Sequence, residues 1–272
     1  VRAATAAFAG TEWRSLSASG RGLLLLRLAD AIDESAERIA ELEVRDNGKL
    51  YREMVAQLRT VPSWLRYFGG MADKVEGRTI PLERISIFNY TLPEPLGVVG
   101  VISPWNSPVF LALMSTAPAL AAGNTVVVKP SEVTSVSMLE VARLAAEVGF
   151  PPGTLNVVTG GGETGRALVD HPEVAKIAFT GGTEAGRAVA LAAAGRLART
   201  TLELGGKSAN IVFGDADLDR AEAGILAGIF AAAGQTCVAG SRALIHESVF
   251  DRLVERLAKR ADQIRLGDPM DA

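Results

Sequence analysis

The sequence has little with which to build a metal centre or a disulfide: one cysteine, Cys237, and two histidines, His171 and His246, in 272 residues. A lone cysteine forms no internal disulfide and two histidines make no His/Cys cluster, so no metal site is expected and a reducing, cytoplasmic setting is. Long apolar runs are missing as well. Residues 23–26 are bounded by Arg21 and Arg27, and 225–233 is short against the ~18 residues of a membrane-spanning helix, so no membrane partner is expected. Charge of one sign is also lacking, with 28 basic against 31 acidic residues and only 6% aromatics, which leaves no basic face or stacking platform for nucleic acid. Residues 1–10 have neither the charged nor the long apolar segment of a signal peptide and read as the inside of a helix. Both ends look cut. With 48% hydrophobic and 22% charged residues, a soluble globular chain of one large or two modest domains with a real core is expected.

Leu23, Leu26, Ala29 and Ile39, with charges between them, predict one long amphipathic helix over 20–45, stopped by Asn47-Gly48. A second helix is predicted over 52–68, ending at Gly69-Gly70. Residues 84–92, with Ile85, Ile87 and Tyr90 between Pro81 and Pro93, read as an extended edge or hairpin strand. Nothing up to this point carries chemistry of its own. From Pro95 onward, short β-branched runs at 98–102, 126–128, 155–158, 177–179 and 201–204 alternate with helical stretches at 108–122, 135–148, 163–169 and 183–194. That alternation predicts an α/β fold, a doubly wound Rossmann-like parallel sheet buried on both faces. A strand at 209–213, a helix at 218–232, a strand at 242–245 and a helix at 249–264 follow, with 236–272 read as the start of a second, truncated α/β domain. The predicted division is 1–235, N-terminal helices plus the Rossmann-like domain, and 236–272.

In an open parallel sheet ligands bind beyond the carboxyl ends of the strands. Those ends hold Ile102-Ser103-Pro104-Trp105-Asn106-Ser107-Pro108, Lys129-Pro130-Ser131-Glu132, Thr159-Gly160-Gly161-Gly162, Thr180-Gly181-Gly182-Thr183-Glu184-Ala185-Gly186 and Glu203-Leu204-Gly205-Gly206-Lys207. Two glycine loops compete for a pyrophosphate: Gly160-x-Gly162-x-x-Gly165, which follows the third strand and lacks the expected acidic residue, and Gly181 to Gly186, which joins a strand to a helix. Either is also readable as turn glycine. Glu203, flanked by Leu202 and Leu204, is either a buried general base with a raised pKa or an edge or salt-bridged glutamate. Cys237, in the glycine-bounded loop Gly234-Gln235-Thr236-Cys237-Val238-Ala239-Gly240, is either inert packing or a nucleophile with backbone N–H groups around it. The Asn106 amide is able to donate to an oxyanion or to form an Asx turn before a helix. Trp105 reads more readily as packing than as recognition. Lys129 and Glu132 suit ribose hydroxyls or a surface pair, and both histidines read as structural or solvated. No Gly-x-Ser-x-Gly elbow supports a serine hydrolase.

Taken together, 104–108, Lys129-Pro130-Ser131-Glu132, 179–186, 202–207 and Gly234-Gln235-Thr236-Cys237 resemble the NAD(P)-dependent aldehyde dehydrogenase superfamily. Their order agrees, as do the separations of 23 from Asn106 to Lys129 and 34 from Glu203 to Cys237. The resemblance implies an oxidoreductase that turns an aldehyde into a carboxylic acid, with Cys237 as nucleophile, Asn106 holding the oxyanion and Glu203 activating the water that hydrolyses the thioester. It implies cofactor contacts from Ile102, Ser103, Pro104, Trp105, Lys129, Glu132, Gly181, Gly182, Thr183, Gly186 and Leu204. An acidic residue at 132 favours NAD over NADP. Gly182 departs from the serine often found there in the family. The resemblance further implies a fragment that stops before the family's Glu-x-Phe-Gly-Pro motif, and a homo-oligomeric parent with 84–92 as interface strand. A CoA-acylating semialdehyde dehydrogenase is the alternative, which Glu203 argues against; a non-catalytic dinucleotide-binding fragment is another.

Overall fold

The computed structural model describes residues 1–84 and 86–271. The chain opens with helices α1 (Arg2–Ala9), α2 (Thr11–Arg14), α3 (Ala18–Glu34), α4 (Ala36–Asn47), α5 (Tyr51–Leu58) and α6 (Val61–Met71). The single helix expected over 20–45 is therefore two, broken at Ser35, whose ψ of 5° leaves the helical region. A straight helix of that span would reach roughly 40 Å, whereas five strands extend over about 20–25 Å. Breaking lets both halves stay on the core, α3 through Leu25, Leu28 and Ile32 and α4 through Ile39, Ala40 and Val44. The helix expected over 52–68 is likewise two, because Pro62 fits the first turn of α6 but would clash with a preceding carbonyl inside a continuous helix. Gly48, at φ +71°, ends α4 in the left-handed region, where the Asn47-Gly48 stop was expected. Of the strand expected over 84–92, only β2 (Asn89–Tyr90) forms among the described residues, paired antiparallel with β1 (Thr79–Ile80). Ile85 lies outside the described residues.

The central sheet is built from β3 (Val98–Ile102), β4 (Thr125–Lys129), β5 (Leu155–Val157), β6 (Val174–Gly181) and β7 (Arg199–Leu204), joined by α7 (Pro108–Ala121), α8 (Val136–Glu147), α9 (Gly162–Asp170) and α10 (Thr183–Ala194). Among the described residues its order is β5-β4-β3-β6-β7 with every pairing parallel. The strand order reverses between β3 and β6, which makes their carboxyl ends the switch point. Alternation along the strands covers both faces: Val99, Val101, Val126 and Val128 meet α3, α4, α6, α7 and α8, while Val98, Val127, Ile177 and Phe179 meet α1, α9 and α10. The expected doubly wound architecture is present.

Beyond it, β8 (Ala209–Val212), α11 (Leu218–Phe230), β9 (Arg242–Ile245) and α12 (Phe250–Ala261) form a second α/β unit. Here β8 pairs parallel with β9, and Val212, Leu218, Ile225, Val249 and Leu253 share a small core. This unit straddles the division expected at residue 235.

Two packing details yield tests. Helices α3 and α6 touch backbone to backbone, since a Cβ on Gly22 would lie 2.4 Å from the Gly69 carbonyl oxygen, whereas Gly70, one residue on, faces open space. Gly22→Ala is expected to destabilise the protein by about 1–3 kcal/mol through this overlap. Gly70→Ala is expected to stabilise it by up to ~1 kcal/mol from helix propensity; chemical denaturation of both variants reads the opposite signs. Glu43 of α4 is fully buried and accepts the Val109 N–H at the start of α7 at 2.9 Å. Burial pushes its carboxyl up to about 7, against the lowering effects of that bond and of Lys49. Because this pKa lies above the unfolded one, the stabilisation from protonated Glu43 is complete below pH ~4.5 and is lost as pH rises through 7, on the order of 3 kcal/mol. Stability curves from pH 4.5 to 8 should therefore fall less steeply for Glu43→Gln than for the wild type.

Candidate active site

The site is assembled along one sheet edge. Register sets Ile102 beside Lys129 on one side and beside Phe179 on the other, with Phe179 next to Leu202 and Gly181 next to Leu204. The carboxyl ends of β4, β3, β6 and β7 thus lie abreast, ~4.8 Å from strand to strand. Ser103 is buried and its N–H bonds the Lys129 carbonyl oxygen at 3.2 Å, which ties the first strand end to the second. Pro104 follows it into the turn before α7. Trp105 is 45% exposed, so the packing role expected of it is not found; it stands at the open edge of the site.

Lys129 is buried and its Nζ donates to Glu132 Oε2 at 3.1 Å, while Glu132 itself is exposed. The Glu132 carboxyl is held below its ordinary range by its own backbone N–H and then by Lys129. This pairs a buried cation with an exposed carboxylate just beyond the end of β4. Across the switch point, Gly182 caps α10 with an extended backbone, and nothing stands within 4 Å of where its Cβ would be. Since the Gly186 N–H is bonded to the Gly182 carbonyl, the N–H groups of Thr183, Glu184 and Ala185 are left without intrahelical acceptors. Gly186 lets α10 approach β7, because a Cβ there would fall 2.5 Å from Leu204 Cδ2. Of the two competing glycine loops, only this one lies at the switch point. The other opens α9 after the edge strand β5, and Gly160 sits there at φ +142° beside Thr164, a turn requirement.

Asn106, half-buried in the turn before α7, donates its Nδ2–H to the Gln235 carbonyl oxygen at 2.8 Å across 129 residues of sequence. Gln235 stands two residues before Cys237. Using one amide hydrogen this way leaves the second free to donate. Cys237 occupies an exposed turn in which the Ala239 N–H bonds the Thr236 carbonyl oxygen. Both flanks of that turn are held. On one side Ala232, Ala233 and Gly234 all adopt positive φ, with the Ala232 N–H bonded to Glu53 Oε2 at 2.8 Å. On the other, Asn210 Nδ2 donates to the Gly240 carbonyl oxygen, and any Cβ on Gly240 would strike that amide. The strand carrying Glu203 reaches the same turn through Gly206, whose Cβ would lie 3.8 Å from the Cys237 carbonyl oxygen.

Glu203 itself differs from the buried alternative. It is exposed, because β7 is the edge strand and alternation turns Leu202 and Leu204 into the core and Glu203 to the opposite face. His171 and His246 cap local turns through Nδ1, accepting from the Glu173 and Ser248 N–H groups. The N-terminal helices, by contrast, do take part. Lys49, fully buried, donates from Nζ to the Asn106 carbonyl oxygen at 2.8 Å and to Ser107 Oγ at 3.2 Å. Gln235 Nε2 donates to the Asn47 carbonyl oxygen at 2.9 Å. The only sequence signal for these residues is that Asn47 and Lys49 flank the glycine that ends α4.

Comparison with known proteins shows the family. The model of the Aldehyde dehydrogenase family matches residues 1–272. The chain is 49% identical over 272 residues to a (Z)-2-((N-methylformamido)methylene)-5-hydroxybutyrolactone dehydrogenase of Acinetobacter baylyi, covering 100% of this chain and 56% of that protein. It is 47% identical over 276 residues to the mitochondrial aldehyde dehydrogenase of Homo sapiens, covering 100% and 53%. Among solved structures, an NAD+ complex of aldehyde dehydrogenase from Bacillus cereus superposes with a TM-score of 0.96 at 41% identity, covering 99% of this chain and 55% of that one. The chain thus spans about half the length of the relatives it matches. With a match over its whole length and motifs that converge on one sheet edge, the chain belongs to the aldehyde dehydrogenase family.

Proposed function

We propose that the full-length protein oxidises an aldehyde to a carboxylic acid with NAD as cofactor. The observation that carries this reading is the hydrogen bond from Asn106 Nδ2 to the loop of Cys237, which ties an oxyanion donor to a nucleophile. The residues at the switch point fit a dinucleotide. Open space at Gly182, the free N–H groups of Thr183 to Ala185 and the positive end of the α10 dipole suit a pyrophosphate. Lys129 and Glu132 suit the adenosine ribose, and Ile102, Ser103, Pro104, Trp105, Gly181, Gly186 and Leu204, at the strand ends and helix start between these groups, are the further cofactor contacts of this reading. The carboxylate of Glu132 accepts from a free 2'-hydroxyl and repels a 2'-phosphate, which favours NAD over NADP.

In this reading the Cys237 thiolate adds to the aldehyde carbonyl carbon, and the resulting oxyanion is held by the free Asn106 N–H and by backbone N–H groups of the cysteine turn. The nicotinamide, when bound, supplies the acceptor for the hydride lost as the adduct becomes a thioester. Glu203, exposed to water, takes a proton from the water that attacks the thioester, and cleavage of the C–S bond returns the thiolate and frees the acid. A reducing, cytoplasmic setting keeps the exposed thiol available. Assembly as a homo-oligomer through the β1–β2 ribbon is supported by Phe88 and Leu92, which are 74% and 70% exposed. Among the described residues no helix is long and apolar enough to cross a membrane.

In the full-length protein, Cys237→Ala is expected to remove aldehyde oxidation, by on the order of 10³-fold or more, while the NAD dissociation constant stays within about twofold. Retained turnover would exclude Cys237 as nucleophile. Product analysis with and without CoA belongs in the same assay, since free acid formed without CoA separates hydrolysis from acyl transfer to CoA. Glu132→Gln is expected to narrow the preference for NAD over NADP by about tenfold, read as a ratio of kcat/KM values. An unchanged ratio would remove Glu132 from cofactor selection.

A further inference from the structure

We infer that Lys49 is a positioning residue for the oxyanion donor, holding Asn106 from behind so that its amide meets the cysteine loop. The inference rests on the reading of Asn106 and Cys237 given above. Lys49 is only 3% exposed, a costly place for an ammonium group, and burial lowers its pKa against the raising effects of Glu43 and Glu53. Both hydrogen bonds of its Nζ go to the Asn106-Ser107 segment, at 2.8 Å and 3.2 Å. Ser107 Oγ also donates to the Asn106 carbonyl oxygen at 2.8 Å, so that oxygen accepts from two donors and the peptide plane after Asn106 is fixed. Three residues beyond Asn106, Glu43 Oε1 takes the Val109 N–H.

The same short stretch of chain holds the other half of the contact. The Asn47 carbonyl oxygen accepts from Gln235 Nε2 and Glu53 accepts from the Ala232 N–H, which fastens the positive-φ segment before Cys237. Residues 47–53 therefore grip the Asn106 turn through Lys49 and the Cys237 loop through Asn47 and Glu53. Between the two grips runs the Asn106–Gln235 hydrogen bond. A displacement of about 1 Å at a catalytic group is enough to cost on the order of 10²-fold in rate. Lys49 is where such a displacement of Asn106 would begin.

The test is a double-mutant cycle in the full-length protein with Lys49→Met and Asn106→Ala. Lys49→Met is expected to lower kcat by about 10- to 100-fold, with the NAD dissociation constant and the rate of Cys237 alkylation by iodoacetamide each within about twofold of wild type. With Asn106 already alanine, the same substitution is expected to change kcat by no more than about threefold, because there is no amide left to position. If the single variant does not fold, Glu43→Gln with Lys49→Met removes both buried charges and is read through the same cycle. Losses that multiply in the double variant, or a Lys49→Met enzyme within about twofold of wild type, would overturn the role of Lys49 alone. A wild type that oxidises no aldehyde would overturn the underlying reading and the inference with it.

Discussion

A parallel sheet can pass from one strand to the next only by carrying the chain back over one of its faces, and this constraint organises the rest of the molecule. Every crossover returns to the same starting edge, so every strand from β3 to β7 ends on the same side. Motifs scattered over a hundred residues of sequence become neighbours there: Lys129, Ile102, Phe179 and Leu202 stand in one row because the ladder is in register. Burial of both faces makes that register hard to shift, since a slip of one residue would exchange Val98 and Val127 with Val99 and Val128 between two different cores.

In the proposed reading, the two halves of the chemistry are set by different means. The cofactor side relies on backbone at the switch point: a helix start, a glycine without neighbours and one buried lysine paired with an exposed glutamate. The covalent side relies on long-range hydrogen bonds that pin irregular loops. Cys237 sits in a turn preceded by three positive-φ residues, two of them alanine, a conformation that persists only if the surroundings impose it. Glu53, Asn47 and Asn106 supply those bonds, and all three come from outside the second α/β unit. The N-terminal helices are thus part of the site's support as well as of its core.

Most of the fold was legible because its signals are local. The β-branched runs mark the five strands, and the Asn47-Gly48 and Thr183 boundaries appear in the structure where the sequence places them. What was not legible depends on length and on distance. Periodicity alone does not say that a helix over 20–45 outruns the sheet it covers, so the break at Ser35 was invisible. Apolar neighbours leave Glu203 readable as buried or as edge-exposed, and only the topology, which puts β7 at the sheet edge, decides for exposure. Nothing local to Lys49 reveals that its ammonium ends 57 residues away at Asn106.

The central claim is that Cys237 forms a covalent acyl intermediate which Glu203 helps to discharge. Its most direct test is intact-mass and peptide mass spectrometry of the full-length Glu203→Gln protein, quenched in acid after mixing with NAD and an aldehyde under turnover conditions. The account predicts an adduct of the acyl mass on the peptide containing Cys237, formed only when both reactants are present. Acid formation by the wild type with no such adduct in the variant, or an adduct on another residue, would contradict it.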